Sequence, residues 1–223
     1  MAKGISSNPN NIPEAFRNSY VSANTELDHQ AFDPSLSGST CCTVIFNGTK
    51  VLCGNAGDSR AIKVGFPENR QFLDVEALNI DHKPDLPEES ERILKAGGRI
   101  DAFRDQYNGG EQIGPMRVWL KHQDLPGLAM SRSIGDKVAQ SVGVSPIPEV
   151  KEFTINPNDR FIVIASDGVW EFLSNEEVAR IILPYYEQNA PEAAANALVK
   201  ASYKKWKQVS LFSLILSGRR SCG

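Results

Sequence analysis

Residues 161–170 read Phe-Ile-Val-Ile-Ala-Ser-Asp-Gly-Val-Trp, and this stretch decides how the rest of the chain is interpreted. An unbroken apolar run rich in β-branched residues, entered through a polar turn at 156–159, predicts a strand buried on both faces. The strand brings Asp167 to the edge of the core, where a carboxylate needs a cation or several hydrogen-bond donors. Gly168 leaves room for a ligand near the backbone. The residues alone leave two interpretations of Asp167 open, a metal ligand or a helix-capping or turn aspartate.

Length and composition are those of an ordinary globular protein. The 223 residues suit a single domain, and 41% hydrophobic with 23% charged residues is a common balance. A net charge of −3 gives no sign of a nucleic-acid or membrane-surface partner. The four cysteines lack C-x-x-C spacing, and no segment resembles a signal peptide or is long enough to span a membrane. We therefore expect a monomer in the cytoplasm or nucleus.

Capping and turn residues divide the chain into short elements. Helices are predicted from about residue 13, with Asn11 as the cap, and at 85–98, 174–182 and 191–207. Asn47-Gly48 between two β-rich runs predicts a hairpin, and the apolar residues 209–216 predict a short strand. Residues 99–126 show no clear periodicity and predict an irregular flap. This mixed order favours an α+β fold over a doubly wound parallel sheet.

Acid–glycine pairs stand at the ends of three apolar runs, at residues 57–58, 135–136 and 167–168. Each pair alone is a weak signal, because such pairs are frequent in turns. The sequence contains no Ser-His-Asp pattern and no glycine-rich phosphate-binding motif. Taken together, the pairs indicate hard-cation chemistry with oxygen ligands.

Five motifs follow one another in a characteristic order. They are Ser-Gly-Ser-Thr (37–40), Gly-Asn-Ala-Gly-Asp-Ser-Arg-Ala (54–61), Asp-His-Lys-Pro (81–84) with Ala-Gly-Gly-Arg-Ile (96–100), Gly-Leu-Ala-Met-Ser-Arg-Ser-Ile-Gly-Asp (127–136), and the run from Asp-Arg-Phe to Trp (159–170). In this order they resemble the metal-dependent (PPM-type, type 2C) protein serine/threonine phosphatases. The resemblance implies a layered α-β-β-α sandwich of the α+β class, here lacking the first strands and the final metal-bearing strand. We expect one partial domain over residues 1–223, with a flap-like insertion at about 99–126 and a divergent tail at 208–223.

The same resemblance implies a chemistry and a set of site residues. Family members hydrolyse phosphoserine and phosphothreonine in phosphoprotein substrates with water activated by Mg²⁺ or Mn²⁺. Matched position by position, Asp167 corresponds to a ligand of the two-metal centre and Asp58 to a ligand of a third metal. Glu171 stands near that third site, where the family usually has aspartate.

Two family motifs have no counterpart in the sequence. These are Asp-Gly-His-Gly, which supplies a bridging aspartate and a histidine acid, and Asp-(Asn/Asp)-Ile-Thr, which supplies another ligand. We therefore expect a chain that is incomplete at both ends and catalytically impaired. Two alternatives stay open: a non-catalytic phosphatase-like module that binds or regulates a partner, and a truncated product without a function of its own.

Overall fold

The computed structural model describes residues 11–66, 72–105 and 110–219. The predictions made for the N-terminal ten residues, for the middle of the flap at 106–109 and for Cys222 lie outside these ranges. The contacts within the chain define two compact units, the first formed by Met1–Ala61 and Leu78–Ile155, the second by Ile62–Ala77 and Asn156–Gly223. The single-domain assignment stays a prediction.

The helices and strands alternate along the chain. In order they are α1 (Ile12–Glu26), a 3₁₀ turn (Leu27–His29), β1 (Gly38–Ser39), β2 (Cys41–Asn47), β3 (Lys50–Ala56), β4 (Arg60–Gly65), β5 (Asp74–Ala77), α2 (Pro87–Lys95), β6 (Gly98–Asp105), β7 (Glu111–Leu120), β8 (Pro126–Leu128), β9 (Ile134–Gly135), α3 (Lys137–Gln140), β10 (Glu149–Thr154), β11 (Asp159–Ala165), α4 (Asp167–Trp170), α5 (Asn175–Glu187) and α6 (Pro191–Arg219).

In the first unit, helix α1 packs on an antiparallel sheet of order β10-β3-β2. Phe16 and Tyr20, one turn apart on α1, are fully buried against Leu52 and Ala56 of β3. The Tyr20 hydroxyl donates a hydrogen bond of 2.9 Å to the carbonyl of Gly54. The aromatic pair therefore joins helix and sheet through apolar contact and through a satisfied polar group.

Local signals located several elements correctly. The Asn11 side chain accepts a hydrogen bond of 3.2 Å from the Glu14 amide, which starts α1 as predicted. Ser174 and Glu177 form the predicted capping box of α5. The hairpin between β2 and β3 is also confirmed, but Asn47 pairs with Lys50, so its turn lies one residue later than predicted.

The segment predicted as an irregular flap is a three-stranded sheet of order β6-β7-β8. Its ladder shifts register between Ala102 and Phe103 and again between Val118 and Trp119. Each shift interrupts the alternation of side chains that marks a strand in sequence, so the prediction of irregular structure was wrong. Among the described residues, a separate core gathers where α2 and α3 meet this sheet: Ile93, Val118, Ala139, Val142 and Val144.

The second unit contains a sheet of order β11-β4-β5 together with α4, α5 and α6. Val163 of β11 and Ile62 of β4 enter its apolar core with Trp170, Ile182 and Leu198. The prediction that β11 is buried on both faces is wrong, because Ile164, on the opposite face from Val163, is 49% exposed. Within the described sheet β11 is an edge strand, and the helices cover only the face that bears Val163.

Helix α6 continues to Arg219, so the strand predicted at 209–216 is also wrong. No proline or glycine follows Pro191 until Gly218, and nothing in between ends the helix. None of the helices in the described ranges is long and apolar enough to cross a membrane.

Candidate functional site

Asp167 stands at the first position of α4, immediately after β11 ends. Ser166 occupies the capping position, so Asp167 is not the cap that one interpretation of the sequence proposed. The Glu171 amide donates a hydrogen bond of 2.8 Å to the Asp167 carbonyl, which places the two acidic residues one helical turn apart. Both side chains are exposed, and neither carboxylate has a hydrogen-bond or ion-pair partner among the described residues.

Asp167 and Glu171 line the same cavity, which has a volume of about 440 Å³. One wall comes from α4 and the residues next to it, and the other comes from the middle of α6. Tyr203 and Trp206 of α6, together with Phe172 next to Glu171, give the cavity an aromatic lining. The arrangement therefore combines two oxygen-donor side chains with an apolar surface, and it can accept a ligand much larger than a metal ion.

Asp58 belongs to the first unit and follows β3. Its carboxylate is buried and forms an ion pair with the ammonium group of Lys83. Next to this pair, Arg60 donates two hydrogen bonds to Asp81, at 2.8 and 2.7 Å. Two neighbouring loops are thereby held together by charged pairs, and the negative charge of Asp58 is already balanced by a side chain of the protein.

The described residues do not fit the two-metal centre that the resemblance implies. No group of three or more histidine, cysteine, aspartate or glutamate side chains within the described ranges is placed to hold a metal ion. Two Mg²⁺ or two Mn²⁺ ions bound side by side require several carboxylates to offset their charge. Asp167 and Glu171 supply two carboxylates in one cavity, whereas Asp58 is engaged by Lys83.

A polar cluster that the sequence did not reveal surrounds Glu89 of α2. This carboxylate, 4% exposed, accepts hydrogen bonds of 2.7 and 2.8 Å from Arg92 and of 2.6 Å from Arg132. The Ser131 hydroxyl donates a further bond of 2.5 Å. Burial alone raises the pKa of the Glu89 carboxyl, but these donors more than offset it, and its pKa lies well below the ordinary 4.5. In the sequence, Glu89 is indistinguishable from the exposed acids beside it.

His82 is buried next to this cluster. Its Nδ1 accepts a hydrogen bond of 3.2 Å from the Gly57 amide, so the neutral ring carries its proton on Nε2, 3.5 Å from a carboxylate oxygen of Glu149. Burial lowers the pKa of His82 below its ordinary 6.5, and the positive charge of Arg132 lowers it further. The negative charges of Glu89 and Glu149 raise this pKa, but they do not offset the lowering. His82 thus has a structural hydrogen-bonding position.

We expect the protein to lose stability as the pH falls below about 6.5, the ordinary pKa of histidine. The folded-state pKa of His82 is the lower one, so below that pH the unfolded chain takes up a proton that the folded chain resists. A His82→Gln variant should therefore show a shallower loss of its urea midpoint between about pH 7 and pH 5. His122→Gln, at an exposed position, should keep the original slope. Equal slopes for all three proteins would show that His82 does not cause the dependence.

Comparison with known proteins places the chain in a family. Residues 2–208 match the family model described as protein phosphatase 2C. Probable protein phosphatase 2C 52 of Arabidopsis thaliana is 40% identical over 195 residues, which are 87% of this chain and 40% of the relative. Probable protein phosphatase 2C 12 of Oryza sativa subsp. japonica is 37% identical over 195 residues, or 87% of this chain and 48% of the relative. The chain thus spans less than half the length of these two relatives.

A solved structure shows the same fold. Serine-threonine phosphatase 2C from Toxoplasma gondii matches with a TM-score of 0.75 at 22% identity, over 94% of this chain and 67% of that one. At this identity the likeness concerns the fold, and it confirms the predicted α+β fold of the PPM type. The family itself follows from the sequence match, which extends over most of the residues. The chain belongs to the protein phosphatase 2C family.

Proposed function

We propose that this chain is part of a phosphatase that removes phosphate from phosphoserine and phosphothreonine in phosphoprotein substrates. Membership of the protein phosphatase 2C family supports the reaction class. The observation that carries the proposal is the position of Asp167, whose exposed carboxylate follows β11 and lines a cavity of about 440 Å³. A carboxylate held at the first position of α4 can serve as an oxygen ligand in phosphate-ester chemistry.

The proposed cofactor is Mg²⁺ or Mn²⁺, and the proposed ligands are Asp167, Glu171 and Asp58. Asp167 and Glu171 share one cavity, which supports their acting together. Asp58 would become available only if Lys83 released its carboxylate. Because the two carboxylates of this cavity are too few for two divalent cations, we propose that the 223-residue polypeptide has little phosphatase activity by itself. We also propose that it is a cytoplasmic or nuclear monomer without nucleic-acid or membrane partners.

Hydrolysis of a phosphothreonine peptide by this polypeptide in the presence of Mn²⁺ tests the proposal. We expect the unmodified polypeptide to turn over the peptide no faster than the Asp167→Asn variant does. Its Mn²⁺ affinity, measured by calorimetry, should lie in the millimolar range, and Asp167→Asn should weaken it further. Asp85→Asn, at an exposed position outside the cavity, is the matched control and should leave Mn²⁺ binding unchanged. Robust Mn²⁺-dependent turnover that Asp167→Asn abolishes would contradict the proposed impairment, and it would support the proposed site and reaction. If Asp167→Asn left the Mn²⁺ affinity unchanged, Asp167 would be excluded as a ligand.

A second candidate function, a non-catalytic binding module, is favoured by the aromatic side of the same cavity. Phe172, Tyr203 and Trp206 supply no ligands for a hard cation, yet they form much of the lining. These side chains favour the binding of an apolar group beside the carboxylates.

A further inference from the structure

Helix α6 presents a row of large apolar side chains that remain exposed. Val199 is 62% exposed, Tyr203 52% and Trp206 47%. Their spacing of four and then three residues places them on one face of the helix. A different face, which carries Ala194 and Leu198, is the one that packs into the core of the second unit. The exposed row, called here the α6 stripe (Val199, Tyr203 and Trp206), is therefore not needed to attach the helix to its unit.

The α6 stripe borders a concave space and not a flat surface. All three of its residues line the 440 Å³ cavity, with Phe172 and Val169 on the other side. The rings of Tyr203 and Trp206 are nearly parallel, with centroids 5.7 Å apart. Stripe and cavity together form a groove whose volume of about 440 Å³ can hold a side chain of leucine or phenylalanine size. Aromatic rings held in this way are frequent anchors of protein–protein contacts.

The charge beside the stripe is strongly asymmetric. All 27 acidic residues of the chain lie at or before Glu192, whereas six of the 24 basic residues follow it. Lys200, Lys204 and Lys207 are exposed next to the stripe, and none of them has an ion-pair partner among the residues that the structure describes. The Lys207 ammonium lies 4.7 Å from the centroid of the Tyr203 ring, so the positive charge reaches the groove itself. A partner that fits this edge carries negative charge.

We propose that the groove between α4 and α6 binds an acidic amphipathic segment of another protein. An apolar side chain of the segment fills the cavity against Trp206, while its acidic side chains meet Lys200, Lys204 and Lys207. An anionic membrane fits less well, because the groove is concave and its far wall carries the carboxylates of Asp167 and Glu171. These same carboxylates repel any excess of negative charge, so the acidic residues must lie on the lysine side. The inference needs neither metal nor turnover, and so it stands apart from the proposed phosphatase activity.

Two synthetic helical peptides of about 18 residues test the proposal. Both carry leucine at helical spacing on one face, and their flanking positions are glutamate in one peptide and lysine in the other. Trp119 and Trp170 are buried, so a change in tryptophan emission reports mainly on Trp206. In EDTA, we expect a saturable blue shift with the glutamate peptide, weakened by salt, and none with the lysine peptide.

Calorimetry on variants then assigns the contacts. Trp206→Ala should weaken binding of the glutamate peptide at least about tenfold, as expected for a buried anchor, whereas Phe46→Ala, at an exposed aromatic residue outside the groove, should not. Replacing Lys200, Lys204 and Lys207 together by glutamine should have a similar effect, with Lys95→Gln as the control. Combining Asp167→Asn with Glu171→Gln should strengthen binding about two- to threefold by removing repulsion.

Three outcomes would overturn the proposal. The first is that neither peptide changes the emission of Trp206. The second is that both peptides bind equally well, since charge would then play no part. The third concerns vesicles of mixed phosphatidylserine and phosphatidylcholine. If they cause the same blue shift as the glutamate peptide, and if the double variant Asp167→Asn with Glu171→Gln leaves that shift unchanged, the groove would be assigned to a lipid surface.

Discussion

Replacing Glu89 by alanine should lower the free energy of unfolding by about 3–5 kcal/mol, the usual loss when one partner of a buried ion pair is removed. The carboxylate is almost inaccessible and accepts bonds from Arg92, Arg132 and Ser131. Without it, two guanidinium groups remain close together and partly buried with no counter-charge. Urea unfolding followed by circular dichroism measures the loss.

Glu91 on the same helix provides the control, because its side chain is exposed. Glu91→Ala should change the free energy of unfolding by no more than about 0.5 kcal/mol. The pH supplies a second check. The folded-state pKa of Glu89 is below 4.5, so its stabilisation is present above that pH and declines as the pH falls further. A loss as small as that of Glu91→Ala would mean that the cluster adds no net stability.

Phe16→Ala should destabilise the protein by a similar amount, about 3–5 kcal/mol, because it leaves a cavity between α1 and its sheet. The ring is fully buried and meets the Tyr20 ring edge-on, with centroids 5.5 Å apart. It lies directly over Gly54, where a Cβ atom would approach the Phe16 ring to 2.8 Å. The glycine and the phenylalanine therefore form a matched pair, and truncation of the ring leaves a void that the backbone cannot fill.

Phe32→Ala is the matched control for this prediction, since the Phe32 side chain is 53% exposed. We expect its urea midpoint to stay close to that of the unmodified protein. If both variants lost stability equally, the contact of α1 with the sheet would not be a main source of stability. A urea midpoint of Phe16→Ala close to that of the unmodified protein would lead to the same conclusion.

Features governed by neighbouring residues were predictable from the sequence. Asn11, the Asn-Gly hairpin and the capping box at Ser174 each depend on contacts a few residues apart, and the structure contains all three. The family motifs also located the strand that leads to Asp167. Such local rules apply before any tertiary contact is known.

Features governed by distant contacts were not predictable. Asp58 pairs with Lys83, 25 positions away, and Glu89 pairs with Arg132, 43 positions away. Neither acid differs in its local sequence from acids that stay in solvent. The exposure of Ile164 depends on which face of its sheet the helices cover, and no pattern within β11 encodes that choice. Burial of a charged residue is decided by the partners that the fold brings to it.

The division of the chain has a consequence for how such a protein can change during evolution. Each compact unit is assembled from two separate segments, and the boundaries fall after residues 61, 77 and 155. The first boundary lies inside β4, so one strand contributes residues to both units. A single recombination event cannot transfer either unit intact to another gene, because each transfer needs breakpoints at all three boundaries.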